Sequence, residues 1–455
     1  MRTISSRNLR VAYVSFGRQT FDLEQASELV QASMQALRSQ DVEWTMVEGL
    51  ITSVDGAQAK ANQLYGHIDV LLAQFTTFVD GRFITTMATT CQVPVIVWAI
   101  PEPNRAHGQR LSLNSFTGVN MAGRVLNQLG IPFRFVYGDA ADVAFQTRLH
   151  RSFLFWKAWH HLHQFTVITV GEAPDGFFFS IPSAAAVKQL GIRVLQLNLD
   201  ETFARALAVP DGEVEDELAR VQSSVRGMER LSVENVLKFS KILMVLREDL
   251  VRVDANAVAV RCWPEFFTQF GAAACSVISA LSEDGTMGAC EADILGALSM
   301  DILYQLTESP AYLGDLVEMN PTDGTVTFWH CGAGAFSLAR PDTGAQAGVH
   351  PNRNIGFTLE FGLKPGVVTI LRIGEDAEGN VRALIGRGEV LDEPQRFRGT
   401  SGRVRLLDGR DEDLVTRVSR VIEDGFEPHY AIAYGDVFDD LTRLFKLMRI
   451  PVARF

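Results

Sequence analysis

The sequence predicts an α/β fold: two doubly wound Rossmann/flavodoxin-like domains followed by a C-terminal antiparallel β-barrel-like domain. Three observations lead there. Short β-branched runs alternate with amphipathic segments at βαβ spacing through roughly the first 165 residues, and the same rhythm resumes after Phe165. After Ser309 the texture changes to short strands punctuated by Gly, Pro and Asp, the pattern of an antiparallel sheet or barrel. The expected domains are 1–164, 165–310 and 311–455.

In the first domain, Val11–Phe16, Asp69–Gln74 and Val93–Trp98 read as strands, and Asp22 caps a helix running to Arg38. Another helix is expected after Asn114, and a long one over about Asp142–Gln164. The second domain begins with the strand Phe165–Gly171. It continues through strand Val194–Leu197, helix Glu234–Val253, strand Ala257–Cys262, helix Glu265–Leu281, strand Thr286–Cys290 and helix Ala292–Leu306. The third holds strands Thr325–His330, Ile355–Phe361, Val367–Ile373 and Val381–Arg387. It closes with helix Glu412–Glu423, a strand after His429, and helix Asp436–Met448. No internal repeat or low-complexity segment is present.

Composition excludes several classes of function. The chain has 455 residues, 47% hydrophobic and 21% charged, as expected for a soluble globular protein. Formal net charge is −12, with no Lys/Arg-rich block, so neither nucleic acid nor an anionic membrane is an expected partner. The polar N-terminus and short first apolar run suggest no secretory signal or membrane span. Five cysteines without a CxxC pair (Cys91, Cys262, Cys275, Cys290, Cys331) read as free thiols in a reducing cytoplasm, not as a zinc–thiolate site.

Chemistry concentrates at two places. Two strands end in acidic turns, at Pro264-Glu265 and at Glu291-Ala292-Asp293, where open α/β sheets place their ligands. If those strands are neighbours, Glu265 and Asp293 share one crevice. His429, ahead of the apolar run Tyr430–Ala433, is the third element. Two carboxylates and an imidazole suit a hard or borderline divalent ion. Each residue also has an ordinary structural explanation: Asp293 and Glu265 as helix caps, His429 as a core histidine.

His330 runs into Gly332-Ala333-Gly334 and can present an imidazole to a polyol. The glycines lack the third member and the βαβ unit of a dinucleotide loop. The segment Gln109–Gly118 offers Arg110 and Asn114 as sugar contacts, against the reading of Ser or Asn as a helix cap. Gly176-Phe177-Phe178-Phe179 reads as loop packing with one ring available to substrate. His160, His161 and His163 read as a helix surface, while His67, His107, His150 and His350 lack acidic companions.

On these residues the chain resembles the L-fucose isomerase family, and more broadly the fucose/arabinose isomerase-like superfamily. The resemblance is carried by Ala431–Gly435 after His429, by Leu447–Val452, by Val260-Arg261-Cys262-Trp263 (the family's Arg-x-Trp strand), and by Glu291-Ala292-Asp293 with Gly296-Ala297 (its Glu-Asn-Asp…Gly segment). It implies a metal-dependent aldose–ketose isomerase acting on a free sugar through an ene-diolate, with Mn2+, or another divalent cation such as Mg2+ or Co2+. It places metal-binding residues at Asp293 and His429. Cys275 stands where the family has its third ligand, a Glu, so Glu265 is the substitute, and Glu265 and Asp293 become the expected catalytic pair. Glu291, His330, Arg110 and Asn114 are the expected substrate contacts.

The missing Glu leaves room for a C6-modified hexose such as a sulfo-sugar, whose anion needs an arginine or a lysine: Arg18, Arg110, Arg353 and Arg372 are available. A non-catalytic cytoplasmic sugar-binding protein is the other alternative. The resemblance further implies a homo-oligomer, a trimer or hexamer.

Overall fold

The computed structural model describes residues 8–103, 108, 110–408 and 412–455. His107 and Gln109 lie outside the described residues. The chain divides into two compact units, Ser6–His160 and His161–Phe455.

The first unit is built on a five-stranded parallel sheet: β1 (Arg10–Phe16), β2 (Glu43–Ile51), β3 (Val70–Phe75), β4 (Val95–Ala99) and β5 (Phe133–Tyr137). Its spatial order, β2-β1-β3-β4-β5, is that of flavodoxin-like sheets. Strands β3 and β4 are buried along their whole length, which explains why they read as unbroken apolar runs. Helix Leu23–Leu37 starts where expected, with Asp22 accepting a hydrogen bond from the Gln25 backbone N–H. The sequence reading overlooked β2 and β5, whose central or outer residues are exposed and interrupt the apolar pattern.

The second unit contains a four-stranded parallel sheet and a barrel. The sheet strands are β6 (Thr166–Val170), β7 (Arg193–Leu197), β9 (Ala257–Val260) and β10 (Met287–Ala289), in the order β10-β9-β6-β7. The short strand β8 (Val225–Arg226) lies between β7 and β9 in sequence and pairs with β13 (Ala345–Gly348). The barrel is formed by β11 (Tyr312–Asn320), β12 (Thr325–His330), β15 (Gly366–Glu375), β16 (Val381–Val390), β17 (Thr400–Leu406) and β18 (His429–Tyr434). Antiparallel pairing runs β16-β15-β18-β11-β12-β17 and closes from β17 back to β16. Strands β13 and β14 (Thr358–Gly362) extend one side, and β19 (Val452–Arg454) pairs with β16. The fold is thus mixed α/β, with Rossmann-like parallel sheets and a closed six-stranded antiparallel barrel. One hydrophobic cluster reaches from Ile168 on β6 to Phe455, so the core is continuous across residue 310.

Two departures from expectation bear on the site. The helix expected over Glu265–Leu281 is broken: a π-turn covers Phe266–Phe270, Gly271 takes φ +74°, and a separate helix runs Cys275–Glu283. Glycine pays no Cβ penalty in that left-handed conformation, so the chain turns there. Strand β11 was not foreseen because Gly314 and Asp315 interrupt it, and both residue types are depleted in strands. No helix among the described residues is long and apolar enough to cross a membrane.

Gly288 sets how closely β10 approaches helix Cys275–Glu283. A Cβ there would stand 2.6 Å from Ile278 Cβ and 2.9 Å from its Cα and carbonyl oxygen. Backbone atoms cannot swing aside, so Gly288→Ala should lower stability by about 1–3 kcal/mol. The check is the midpoint of thermal unfolding followed by circular dichroism.

Candidate metal centre

The site is assembled by two pieces of backbone, both within the second unit. The first is the turn between β10 and helix Ile294–Thr307. Its residues Glu291 and Ala292 have φ of 51° and 56°, a left-handed conformation that non-glycine residues adopt at a cost of about 1–3 kcal/mol each. Two hydrogen bonds hold the turn: Ala292 N–H to the Val260 carbonyl, and Asp293 N–H to the Cys290 carbonyl, each 3.0 Å. Asp293 then caps the helix, accepting from the Gly296 N–H at 2.8 Å.

The second piece is one end of the barrel. In antiparallel register Asp315 on β11 lies opposite both His429 on β18 and Trp329 on β12, and His330 follows Trp329. Cross-strand partners bring their side chains together whatever their separation in sequence. His429 Nε2 stands 3.5 Å from Asp315 Oδ1 and 3.5 Å from Glu291 Oε2. His330 Nε2 is 3.7 Å from the same Glu291 oxygen.

Asp293 has a different task from Glu291. Its carboxylate is fully buried against the equally buried guanidinium of Arg372, with Nη1–Oδ2 at 2.5 Å and Nη2–Oδ1 at 3.3 Å. His429 Nδ1 lies 2.9 Å from Asp293 Oδ2. Burial by itself would raise the Asp293 carboxyl, but the charge of Arg372 and the bond from His429 outweigh it and hold it at about 2. An ionised carboxylate only accepts, so His429 Nδ1 carries a proton, and in the neutral ring it is Nε2 that has the lone pair facing Glu291 and Asp315. Such a carboxylate–histidine pair is how proteins aim an imidazole at a cation.

His330 is set the other way. The Cys331 backbone N–H donates to its Nδ1 at 2.9 Å, leaving Nε2–H as the donor toward Glu291 in the neutral ring.

The donor set fits a divalent cation. Ligand-type atoms of Glu291, His330 and His429 lie within 4.8 Å of one another, all buried; neutral His330, with its proton on Nε2, serves there as a hydrogen-bond donor, and Asp315 is the second carboxylate on His429. Glu291 Oε2 is buried and accepts no hydrogen bond among the described residues. Two donors held at ~2.1 Å from one ion at octahedral or tetrahedral angles stand ~3.0–3.4 Å apart, close to the spacings around His429 Nε2. Burial raises the Asp315 carboxyl above its usual range, against the pull of both histidines. Burial would lower His429, but Asp293, Glu291 and Asp315 together raise it.

The comparisons with known proteins agree along the whole chain. Residues 12–151 match the family model of the fucose/sulfoquinovose isomerase N-terminal domain, and residues 350–455 match that of the L-fucose isomerase C-terminal domain. The sulfoquinovose isomerase of Priestia aryabhattai is 40% identical over 447 residues, covering 98% of each chain. That of Alkalicoccus urumqiensis is 39% identical over 446 residues, 98% of this chain and 99% of the relative. That of Clostridium sp. (strain MSTE9) is 33% identical over 445 residues, 97% and 98% of the two chains. The chain belongs to the fucose/sulfoquinovose isomerase family. It is an aldose–ketose isomerase, which sets aside the reading as a non-catalytic sugar-binding protein.

The isomerase departs from the sequence expectation in which residues it brings together. Strands β9 and β10 are neighbours, as supposed, and the carboxylates of Glu265 and Asp293 are each held by an arginine. Both Glu265 oxygens are taken by Arg261, at 2.7 and 3.0 Å, because an Arg four residues ahead on the same turn meets it first. Both Asp293 oxygens are filled by Arg372, Gly296 and His429. Glu291 and His330, expected as sugar contacts, stand in the donor group with His429. Asp315 was missed because the strand that carries it was not foreseen.

Arg110 and Asn114 belong to the first unit. Arg110 donates to the Thr20 carbonyl at 2.5 Å, and Asn114 takes φ 52° at the start of helix Ser115–Gln128, its side chain accepting from Thr117 Oγ1. Phe179 is the ring that reaches the site, 5.1 Å edge-on to His429.

The depressed Asp293 carboxyl gives acid lability a definite sign. Its contribution to stability is complete above its unfolded value of 3.8 and is lost as pH falls through about 2. Asp293→Asn should abolish that dependence. It should also cost about 3–5 kcal/mol at neutral pH by leaving Arg372 buried without its counter-ion. Acid titration of wild type and variant in denaturant tests both statements.

Proposed function

We propose that this isomerase interconverts sulfoquinovose, a hexose with a sulfonate on C6, and the corresponding ketose, using a divalent cation held by Glu291, Asp315 and His429. The observation that carries the metal centre is the convergence of two carboxylates on His429 Nε2, the ring nitrogen opposite the one that Asp293 holds. The substrate rests on the relatives, each named a sulfoquinovose isomerase over nearly its full length. They favour the C6-modified hexose over a free L-fucose- or L-arabinose-like sugar. Oxygen and imidazole donors suit Mn2+, with Mg2+ or Co2+ as substitutes.

The cation supplies Lewis-acid polarisation of the sugar's C1 and C2 oxygens. Asp315, set beside His429 at the mouth of this donor set, takes the C2 proton and returns it to C1. Glu291, with one unpartnered oxygen, moves the hydroxyl proton between O2 and O1. The His330 Nε2–H donates to the ene-diolate oxygens and stabilises their charge where it develops. Phe179, against His429, keeps water from that side of the ring. Arg372 is unavailable to the sulfonate, being fully buried between Asp293 and Glu427.

Chelator-stripped protein is expected to lose turnover of sulfoquinovose and regain it with Mn2+, with L-fucose at least ~100-fold poorer in kcat/KM. Turnover that survives chelation removes the cation from the account; equal use of L-fucose removes the sulfonated substrate. Glu291→Gln and Asp315→Asn should each lower kcat by ~10²–10⁴. Glu265→Gln should change it by no more than a few-fold, and a loss comparable to Asp315→Asn would return Glu265 to the site.

A further inference from the structure

Four of the five cysteines fall into two buried pairs, and one pair, Cys262 and Cys290, lies beside Glu291. Cys262 follows β9 and Cys290 follows β10, and those strands pair in parallel with Ala259 opposite Ala289. Successive residues past a strand face opposite ways. Arg261 turns to Glu265 and the Ala173 carbonyl, while Cys262 turns to Glu291, its Sγ 3.5 Å from Oε1. The donors of Cys262, Cys290 and Glu291 lie within 4.8 Å of one another, and all three residues are buried.

We infer that Cys262, Cys290 and Glu291 form a second cation site, selective for thiophilic ions of the zinc and cadmium class, that shares Glu291 with the centre described above. Thiolates prefer soft and borderline ions, whereas the Glu291–Asp315–His429 set prefers harder ones. Sulfur at ~2.3 Å and oxygen at ~2.0–2.2 Å from a tetrahedral ion stand ~3.5 Å apart, which is the Cys262–Glu291 spacing. Glu291 Oε1 faces Cys262 while Oε2, which accepts no hydrogen bond, faces His429, so the one carboxylate presents an oxygen to each site. On loading, each thiol gives its proton to solvent as its metal–sulfur bond forms, and no oxidant is needed. Glu291 drawn toward sulfur is lost to His429 and Asp315, so thiophilic ions inhibit the isomerase while harder ones support it.

The neighbouring pair Cys275 and Cys331, 3.6 Å apart, forms another donor group with His350. There the Asn352 N–H donates to His350 Nδ1 at 3.3 Å, which favours the Nε2–H tautomer and leaves the neutral ring a poor ligand. The Cys262–Cys290 group contains no histidine and so meets no tautomer conflict of this kind.

The sharing of Glu291 rests on its role as a cation ligand proposed above; the thiol site itself does not. The test is a Cd2+ titration of the chelator-stripped, full-length protein, read by the thiolate-to-cadmium charge-transfer absorption. We expect one equivalent per chain, with the band lost in Cys262→Ser and in Cys290→Ser and retained in Cys91→Ser. No band in the wild type, or a band that survives both variants and disappears in Cys275→Ser, overturns the assignment. Should the serine variants fail to fold, Glu291→Gln keeps both thiols. Its band should remain with Kd for Cd2+ raised at least ~10-fold, and an unchanged Kd refutes the sharing. The band is read without turnover, so a protein inert toward sulfoquinovose would sink the proposed function and leave this site standing.

Discussion

The buried column Arg372–Asp293–His429 is the interaction on which the rest of the centre depends. A guanidinium with no exposure is tolerable only beside a carboxylate that stays ionised, and Asp293 satisfies that demand. The same carboxylate fixes the proton on His429 Nδ1, so charge compensation in the core and ligand orientation at the surface of the site are one device. Gly296 permits it: a Cβ there would fall 2.4 Å from Asp293 Oδ2. Glu427 completes the column from below, bonding Arg372 Nε at 3.5 Å and accepting the Glu375 N–H at 3.1 Å.

What surrounds His429 comes from two kinds of backbone economy. The barrel contributes register: Asp315 is placed opposite His429 by strand pairing, 114 residues away in sequence, with no turn or loop involved. The sheet contributes strain. Consecutive left-handed residues at Glu291 and Ala292 are unfavourable by themselves, and a turn that keeps them is tied down by hydrogen bonds to Val260 and Cys290. The isomerase therefore spends stability where it aims Glu291, and recovers it in the buried strands and helix on either side.

Much of this was legible in the sequence, and the failures are instructive. The alternating strands and helices showed where βαβ rhythm gives way to antiparallel strands, and the carboxyl ends of β9 and β10 were correctly read as neighbouring acidic turns. Glu291, Asp293, His330 and His429 were all singled out. Their division of labour was not readable, because it depends on Arg372, which lies on β15 and looks like any strand arginine until the barrel closes over it. The pairing of Glu265 with Arg261 is likewise invisible to an argument about crevices. Asp315 was hidden inside a strand that propensity argues against, and no local pattern pairs it with a histidine across the barrel.

The most direct measurement is anomalous diffraction from crystals of the protein soaked with Mn2+, recorded near the manganese edge. The account predicts one strong peak per chain within bonding distance of His429 Nε2, Glu291 and Asp315, with Asp293 beyond reach of the ion and still on Arg372. A peak bonded to Asp293 or Glu265, or His429 binding through Nδ1, would contradict it.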